Sequence, residues 1–326
     1  MAKVLLTGGS GFVASHILRV LLDHGFSVVF TVRSEEKGQK VMRSFPNPPE
    51  TLSFAVVEDI VLKGASPLDF IIHTASPYHF NVTDPVKDFH EPALLGTKNL
   101  LEAVEAHAPS VRRIVLTSSF AAIVNPQNHA RVYDETVLAT FTEEEAMSPQ
   151  GAYRASKILA EKAAFRFVEE RQPRFDIVTI NPPMVYGPVP SFLTNLDELN
   201  TSNKRIRDMI HGQTHETGLA PTVVYIFADV RDVALAHVRA LQVPEAGGQR
   251  FLITGGYYSN SKIADVIRAE YPQLAEKLPP PKAVVNDTPA DVYGFDNGRS
   301  RRVLGLRYRS FEECIRDAVA SMLTIP

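Results

Sequence analysis

Tyr153 and Lys157 stand four residues apart in Gly151-Ala152-Tyr153-Arg154-Ala155-Ser156-Lys157. The pattern predicts a helix reaching about Arg171, which would set both side chains on one face, roughly 6 Å of rise apart. A phenol beside an ammonium has its pKa lowered, because the positive charge favours the phenolate. Such a tyrosine can give a proton to a developing alkoxide near neutral pH and take it back in the reverse direction. The buried stripe of this helix is expected to be Ala155, Leu159, Ala163 and Phe167, largely on the face away from Tyr153. A tyrosine and a lysine at this spacing often do no more than share a helix, so the rest of the chain decides their meaning.

A second constellation opens the chain. The apolar run Lys3 to Thr7 meets Gly8-Gly9-Ser10-Gly11, an amphipathic pattern follows from about Phe12 to His24, and Ser27 to Val32 is again strand-like. Strand, glycine turn, helix and strand make a βαβ unit. In the spacing Gly8-x-x-Gly11-x-x-Ala14, the first glycine permits a tight turn and the second lets backbone approach a pyrophosphate. The alanine is small enough for close helix–strand packing. The helix start then offers free N–H groups to phosphate. At the end of the second strand, where a site for NAD carries Asp or Glu, this chain has Thr31-Val32-Arg33-Ser34, with Lys37 close behind. Arg33 would pair with a 2′-phosphate, which favours NADPH over NADH.

Further strands must carry chemistry to the same edge. Leu52 to Val57 reads as a third strand ending at Glu58-Asp59-Ile60, and Phe70 to Thr74 as a fourth ending in Ala75-Ser76-Pro77. Asp84 to His107 reads as helix with a kink or break at Pro92, and Val111 to Leu116 as a strand delivering Thr117-Ser118-Ser119-Phe120. Asp176 to Ile180 leads into Asn181-Pro182-Pro183-Met184-Val185-Tyr186-Gly187-Pro188, a stiff turn at the edge where such sheets bind ligands. Ser191 to Pro221 reads as a lid or pocket insertion with a short helix near Arg205 to His211. Beyond it come an acidic helix start at Ala228-Asp229, a strand at Arg250 to Thr254, and helices at Ser261–Tyr271 and Ser310–Leu323 around Pro279-Pro280-Pro281. The expected fold class is α/β: a Rossmann-type doubly wound parallel sheet with a smaller, mostly helical C-terminal substrate domain. The dinucleotide domain is expected at 1–182 and 226–256, and the substrate domain at 183–225 and 257–326.

Composition sets the outer bounds. The 326 residues carry a net charge of −3, which suggests neither a nucleic-acid nor an anionic-membrane surface. The single Cys314 excludes an internal disulfide and a cysteine metal cluster, and is expected to be a small core residue. No metal site is expected. The N-terminal residues show no signal-peptide pattern and the chain no long apolar run, so a cytoplasmic protein is expected, monomer or homodimer.

Several segments together carry a family resemblance: TGGSGFVASH from Thr7, HTASPY from His73, RIVLTSSFAA from Arg113, AYRASKILAEKAA from Ala152, INPPMVYGP from Ile180, LNTS from Leu199 and FADVRDVALAH from Phe227. In their order and spacing the chain resembles the extended short-chain dehydrogenase/reductases over nearly its full length. Within them it is most similar to the yeast NADPH-dependent methylglyoxal/isovaleraldehyde reductases and related fungal ketoreductases, and less so to the plant dihydroflavonol and cinnamoyl-CoA reductases. The resemblance implies a Ser–Tyr–Lys triad at Ser119, Tyr153 and Lys157. Ser119 and Tyr153 would bind the carbonyl oxygen of a small ketone or aldehyde, and Lys157 the nicotinamide ribose. It also implies an NADPH/NADP+ site formed by Gly8, Gly9, Ser10, Gly11, Phe12, Val13, Arg33, Lys37, Asp59, Ile60, Thr74, Ala75, Ser76, Tyr153, Lys157, Pro182, Val185 and Ser202. Tyr78, Phe120, Met184 and the insertion after Pro188 would form the substrate pocket. The chain departs from the pattern where relatives often carry Glu-Ser-Trp: it has Asp134-Glu135-Thr136-Val137 and no tryptophan. Two other readings share these motifs. A nucleotide-sugar epimerase or dehydratase would keep NAD through an acidic residue where Arg33 stands, although Arg299, Arg301 and Arg302 leave a diphosphate site open. A non-enzymatic NADP-binding sensor would typically lack the tyrosine or the lysine.

Overall fold

The computed structural model describes residues 1–45, 47–57, 67–75, 83–280 and 288–325. Its first half alternates strand and helix: β1 (Lys3–Thr7), α1 (Phe12–Asp23), β2 (Ser27–Val32), α2 (Glu35–Met42), β3 (Leu52–Val56) and β4 (Phe70–His73). A single wide π-helical turn, Val86–His90, then runs into α3 (Glu91–His107). Pro92 lies in the first turn of α3, where its missing N–H costs nothing; the irregularity expected there is the widened turn just before it. Next come β5 (Arg113–Thr117), the two-residue β6 (Val132–Tyr133), α4 (Glu143–Met147) and α5 (Pro149–Arg171).

The second half continues with β7 (Asp176–Asn181), β8 (Met184–Tyr186), α6 (Thr201–Ile210), α7 (Thr214–Thr217), β9 (Ile226–Asp229) and α8 (Val230–Gln242). It closes with β10 (Arg250–Leu252), β11 (Gly256–Tyr257), α9 (Asn260–Glu270), β12 (Gly294–Phe295), α10 (Gly298–Val303) and α11 (Phe311–Met322).

Seven strands pair in parallel in the order β3-β2-β1-β4-β5-β7-β10. This is the doubly wound arrangement expected, with its reversal between β1 and β4. Side chains alternate between two apolar faces. Val4, Leu6, Ile72 and Val115 pack with Ile17 and Leu18 of α1 and Ala234 and Val238 of α8. Leu5, Ile71 and Ile114 pack with Leu100 and Leu101 of α3 and Phe167 of α5. Burial on both faces is why these strands read as apolar runs.

A separate apolar core joins Tyr186, Ile206, Ile210, Phe227, Tyr258, Ile263, Phe311, Ile315 and Met322. Cys314 is wholly buried there, as expected of a core thiol. Two small sheets complete the strands: β11-β9-β8, whose Tyr186 and Phe227 enter this core, and β12-β6, whose Tyr133 and Phe295 pack in another cluster with Phe120 and Tyr293. Leu304 and Leu306, from the C-terminal segment, pack instead into the core of the large sheet. Among the described residues, no helix is long and apolar enough to cross a membrane, and no cluster of side chains could hold a metal ion.

The buried stripe of α5 differs from the expected one. Ala155 and Phe167 are buried, but Leu159 and Ala163 are only partly so, while Ala152, Ser156, Lys157, Ile158, Glu161 and Ala164 are buried. The helix therefore buries the side that carries Lys157. The reason is electrostatic: Glu161 finds buried ionic and hydrogen-bond partners, which apolar periodicity cannot reveal.

Candidate active site

The reversal of strand order leaves a cleft at the C-terminal ends of β1 and β4. Thr7 and His73 are register partners, and a hydrogen-bond web ties the turns that follow them. The Thr74 hydroxyl donates to the Thr7 carbonyl at 2.6 Å, and the Thr74 and Ala75 amides donate to Thr7 Oγ1 at 3.2 and 3.3 Å. With its lone pairs so used, the Thr7 hydroxyl gives its proton to His73 Nδ1, 2.8 Å away. Burial first, and Lys157 second, hold His73 down at about 4, so the ring is neutral at pH 7.

Gly8 turns the chain at φ +73°, where a Cβ would meet Thr74 Oγ1 at 3.0 Å. Only glycine takes that turn without strain. The cleft has a volume of about 1850 Å³, and Gly8, Ser10, Gly11, Phe12 and Val13 line it. Gly9 does not: its amide donates to the Thr31 carbonyl and its Cα faces Phe30, so it supports the turn from behind. Arg33 and Lys37 line the rim, both exposed. Thr74, Ala75, Pro182, Val185 and Ser202 also line the cleft. Asp59, Ile60, Ser76 and Tyr78 lie outside the described residues.

Ser119, Tyr153 and Lys157 face the same cleft from two elements. Ser119 caps the short turn Phe120–Ala122 after β5, its Oγ accepting from the Ala121 amide at 3.1 Å. Tyr153 and Lys157 are placed by the start of α5. Ser148 accepts from the Gly151 amide at 3.0 Å and Pro149 opens the helix, both strong start signals. A capping box at Thr142 and Glu145 starts α4, and the Ser148 hydroxyl donates to the Glu145 carbonyl at 2.8 Å where the two helices meet. Lys157 Nζ donates to the Thr117 carbonyl at 3.3 Å and lies 5.8 Å from the centre of the Tyr153 ring. Burial holds this lysine down at about 8, with Glu161 opposing that shift. Phe89, from the widened turn, packs edge-on against Tyr153 at 6.1 Å.

Met184, Pro183, Val124 and Val224 contribute apolar wall to the cleft. Phe120 reaches this wall, but the residue is 2% exposed and its ring packs on Tyr133 and Tyr293. Arg154, beside Tyr153, is tied to Glu145 at 3.0 Å and to the Thr140 and Val124 carbonyls.

Several contributors were missed in the sequence. His237 Nδ1 donates to the Val233 carbonyl, and Nε2 accepts from the Thr117 hydroxyl, each at 2.8 Å. Lys204, in the first turn of α6, lines the cleft. Asn181 Nδ2 donates to the Ser119 carbonyl at 3.1 Å. His237 and Asn181 lay in quoted motifs, but nothing local to either marks its partner.

The profile of the NAD dependent epimerase/dehydratase family matches residues 4–254. The chain is 53% identical to the ketoreductase azaE of Aspergillus niger, over 98% of this chain and 97% of the other. It is 32% identical to an NADPH-dependent methylglyoxal reductase of Saccharomyces cerevisiae, over 98% of both. The crystal structure of a yeast methylglyoxal/isovaleraldehyde reductase complexed with NADPH superposes with a TM-score of 0.90 at 31% identity, covering 99% of this chain and 98% of that one.

Proposed function

This chain belongs to the NAD dependent epimerase/dehydratase family, and from that premise we propose that it is an NADPH-dependent carbonyl reductase, turning a ketone or aldehyde into an alcohol through Ser119, Tyr153 and Lys157. The observation that carries the proposal is the convergence of those three side chains on a cleft whose other end is a glycine turn flanked by Arg33 and Lys37. The names of relatives that match over the full length point the same way.

The cleft fits NADPH. The Gly8 turn and the start of α1 would receive the pyrophosphate, Arg33 and Lys37 the 2′-phosphate, and Lys157 the nicotinamide ribose. When bound, the cofactor supplies hydride. The Ser119 hydroxyl donates a hydrogen bond to the substrate carbonyl oxygen. Tyr153 gives that oxygen its phenolic proton as negative charge grows there. The Lys157 ammonium stabilises the phenolate left behind, so two donors and a cation meet the developing charge. Met184 and its apolar neighbours exclude water from the reacting carbon. Residues 183–225 and 257–326 would supply the substrate lobe, and 1–182 with 226–256 the dinucleotide domain.

A nucleotide-sugar epimerase would share the tyrosine and lysine, but Arg33 at the ribose end argues against tightly held NAD. Heat-denatured protein that releases NAD would favour that second reading. The test of the proposed mechanism is Tyr153→Phe, which keeps the ring and removes the proton. Turnover should fall by at least about 10²-fold with NADPH affinity little changed. Near-normal turnover would sink the mechanism.

A further inference from the structure

One turn beyond Lys157 on α5, Glu161 is buried, its side chain 6% exposed, and three donors from three other elements converge on its carboxylate. Arg250 Nε of β10 donates to Oε1 at 2.6 Å. Asn181 Nδ2 at the end of β7 donates to Oε2 at 2.7 Å, and the Ser118 hydroxyl after β5 donates to the same oxygen. The same Asn181 amide also holds the Ser119 carbonyl. Arg250 also donates to the Glu135, Val137 and Ala122 carbonyls. Glu161 and Lys157 share the wall of a small cavity, about 40 Å³, with His73, Thr97, Thr117 and Thr179.

A buried ion pair is seldom a net gain in stability over apolar packing. Here each contact ends on a residue that sets the geometry of Ser119 or on the helix that carries Tyr153 and Lys157. We propose that Glu161 is a positioning residue for the reaction: its carboxylate locks the Ser118–Ser119 turn against the ends of β5 and β7 and supplies the negative field in which Lys157 works. The proposal rests on the Ser119, Tyr153 and Lys157 reading above.

The charges around this point are few. On α5 they are Lys157 and Glu161, with Tyr153 a turn earlier. β4 contributes the neutral His73 and β10 contributes Arg250, behind which stands Glu135, within 3.9 Å of Arg299. Pro92, Ala93 and Thr97 of α3 face the cavity and carry no charge. Burial lowers the pKa of Lys157 and Glu161 raises it. Neutralising Glu161 therefore makes Lys157 lose its proton at lower pH. A glutamine cannot accept all three donors, because its NH2 group must face at least one of them.

The test compares Glu161→Gln, Ser118→Ala and Tyr153→Phe with the unaltered protein, each checked for cooperative unfolding. Carbonyl reduction and NADPH binding, the latter by fluorescence, are followed against pH. For Glu161→Gln, kcat should fall about tenfold or more, and the alkaline limbs of both activity and binding should move to lower pH by about half a unit or more. Ser118→Ala keeps the charge, so kcat should fall severalfold with both limbs in place. A Glu161→Gln protein with unchanged kcat and unchanged limbs, and only a lower unfolding temperature, would overturn the proposal. If that variant does not fold, Glu161→Asp, which keeps the charge but withdraws it by one carbon, should retain the limbs and lose kcat. Unchanged kcat in Glu161→Asp would also overturn it. Normal turnover by Tyr153→Phe would mean that the triad reading itself has failed. An inactive Tyr153→Phe beside a fully normal Glu161→Gln removes the present proposal alone.

Discussion

Arg33 and Lys37 stand exposed at the cleft rim, and neither has a carboxylate partner among the described residues. Contacts from such groups to a phosphate are worth about 1.5–3 kcal/mol each, and NADPH should be preferred over NADH by a factor of about ten or more. Arg33→Asp repels the 2′-phosphate and offers a carboxylate to the NADH ribose. The ratio of kcat/KM for NADPH to that for NADH should collapse or invert, and equal use of both cofactors by the unaltered protein would contradict the assignment. His237 gives a second residue-scale expectation. Burial holds its imidazole at about 4, below the ordinary 6.5, so the unfolded chain binds its proton first as pH falls. The associated stability is complete above about pH 6.5 and is lost between there and about pH 4, up to about 3 kcal/mol for a fully buried ring. Denaturant unfolding from pH 7 to 4.5 should show that slope, and His237→Gln should flatten it in part. At this scale the meeting of Tyr153, Lys157 and Ser119 in one cleft was legible because each sits in a local motif. The Arg250–Glu161 pair was not, since its members are 89 residues apart and each reads alone as a charge in an ordinary strand or helix.

The elements that aim these side chains were legible where they are long. The strand–helix–strand unit from Lys3 to Val32, the strand Leu52–Val56 and the helix from Pro149 to Arg171 follow from apolar runs and turn residues, whereas the polar α2 was not foreseen. β6 and α4, which lie outside the long apolar runs, left no periodicity to read. Yet α4 matters, because it fixes where α5 begins. A Cβ at Gly151 would lie 2.0 Å from the Glu145 carbonyl oxygen, so only glycine lets the two helices meet this closely. Gly151→Ala must push the start of α5 away and move Tyr153 with it. Misplacement on the order of 1 Å costs up to about 10²-fold in rate. The variant should lose turnover by about tenfold or more while its Arg33-dependent cofactor preference remains. Full activity in Gly151→Ala would show that α4 does not set the position of Tyr153.

Over the whole molecule, the C-terminal helices are joined to the Rossmann layers by charge as well as by apolar packing. Arg231 at the start of α8 donates to Asp229 at 2.7 and 2.9 Å and to Asp317 of α11 at 2.7 Å. Asp229 is fully buried, so Arg231→Met would strand its charge. Discounted for the partial exposure of the arginine, the loss should be about 2–3 kcal/mol in denaturant unfolding; no change would show the pair to be ornamental. The wall of the cleft built by this second half was the least legible part, because its shape depends on contacts between distant segments rather than on a local motif. The central claim, carbonyl reduction with NADPH, is tested most directly by following the absorbance of reduced nicotinamide with purified protein and a panel of aldehydes and ketones, NADPH and NADH in parallel. The expected result is carbonyl-dependent consumption of NADPH, much slower with NADH, with alcohol formed in equal amount. No carbonyl-dependent consumption of either cofactor across the panel would contradict it.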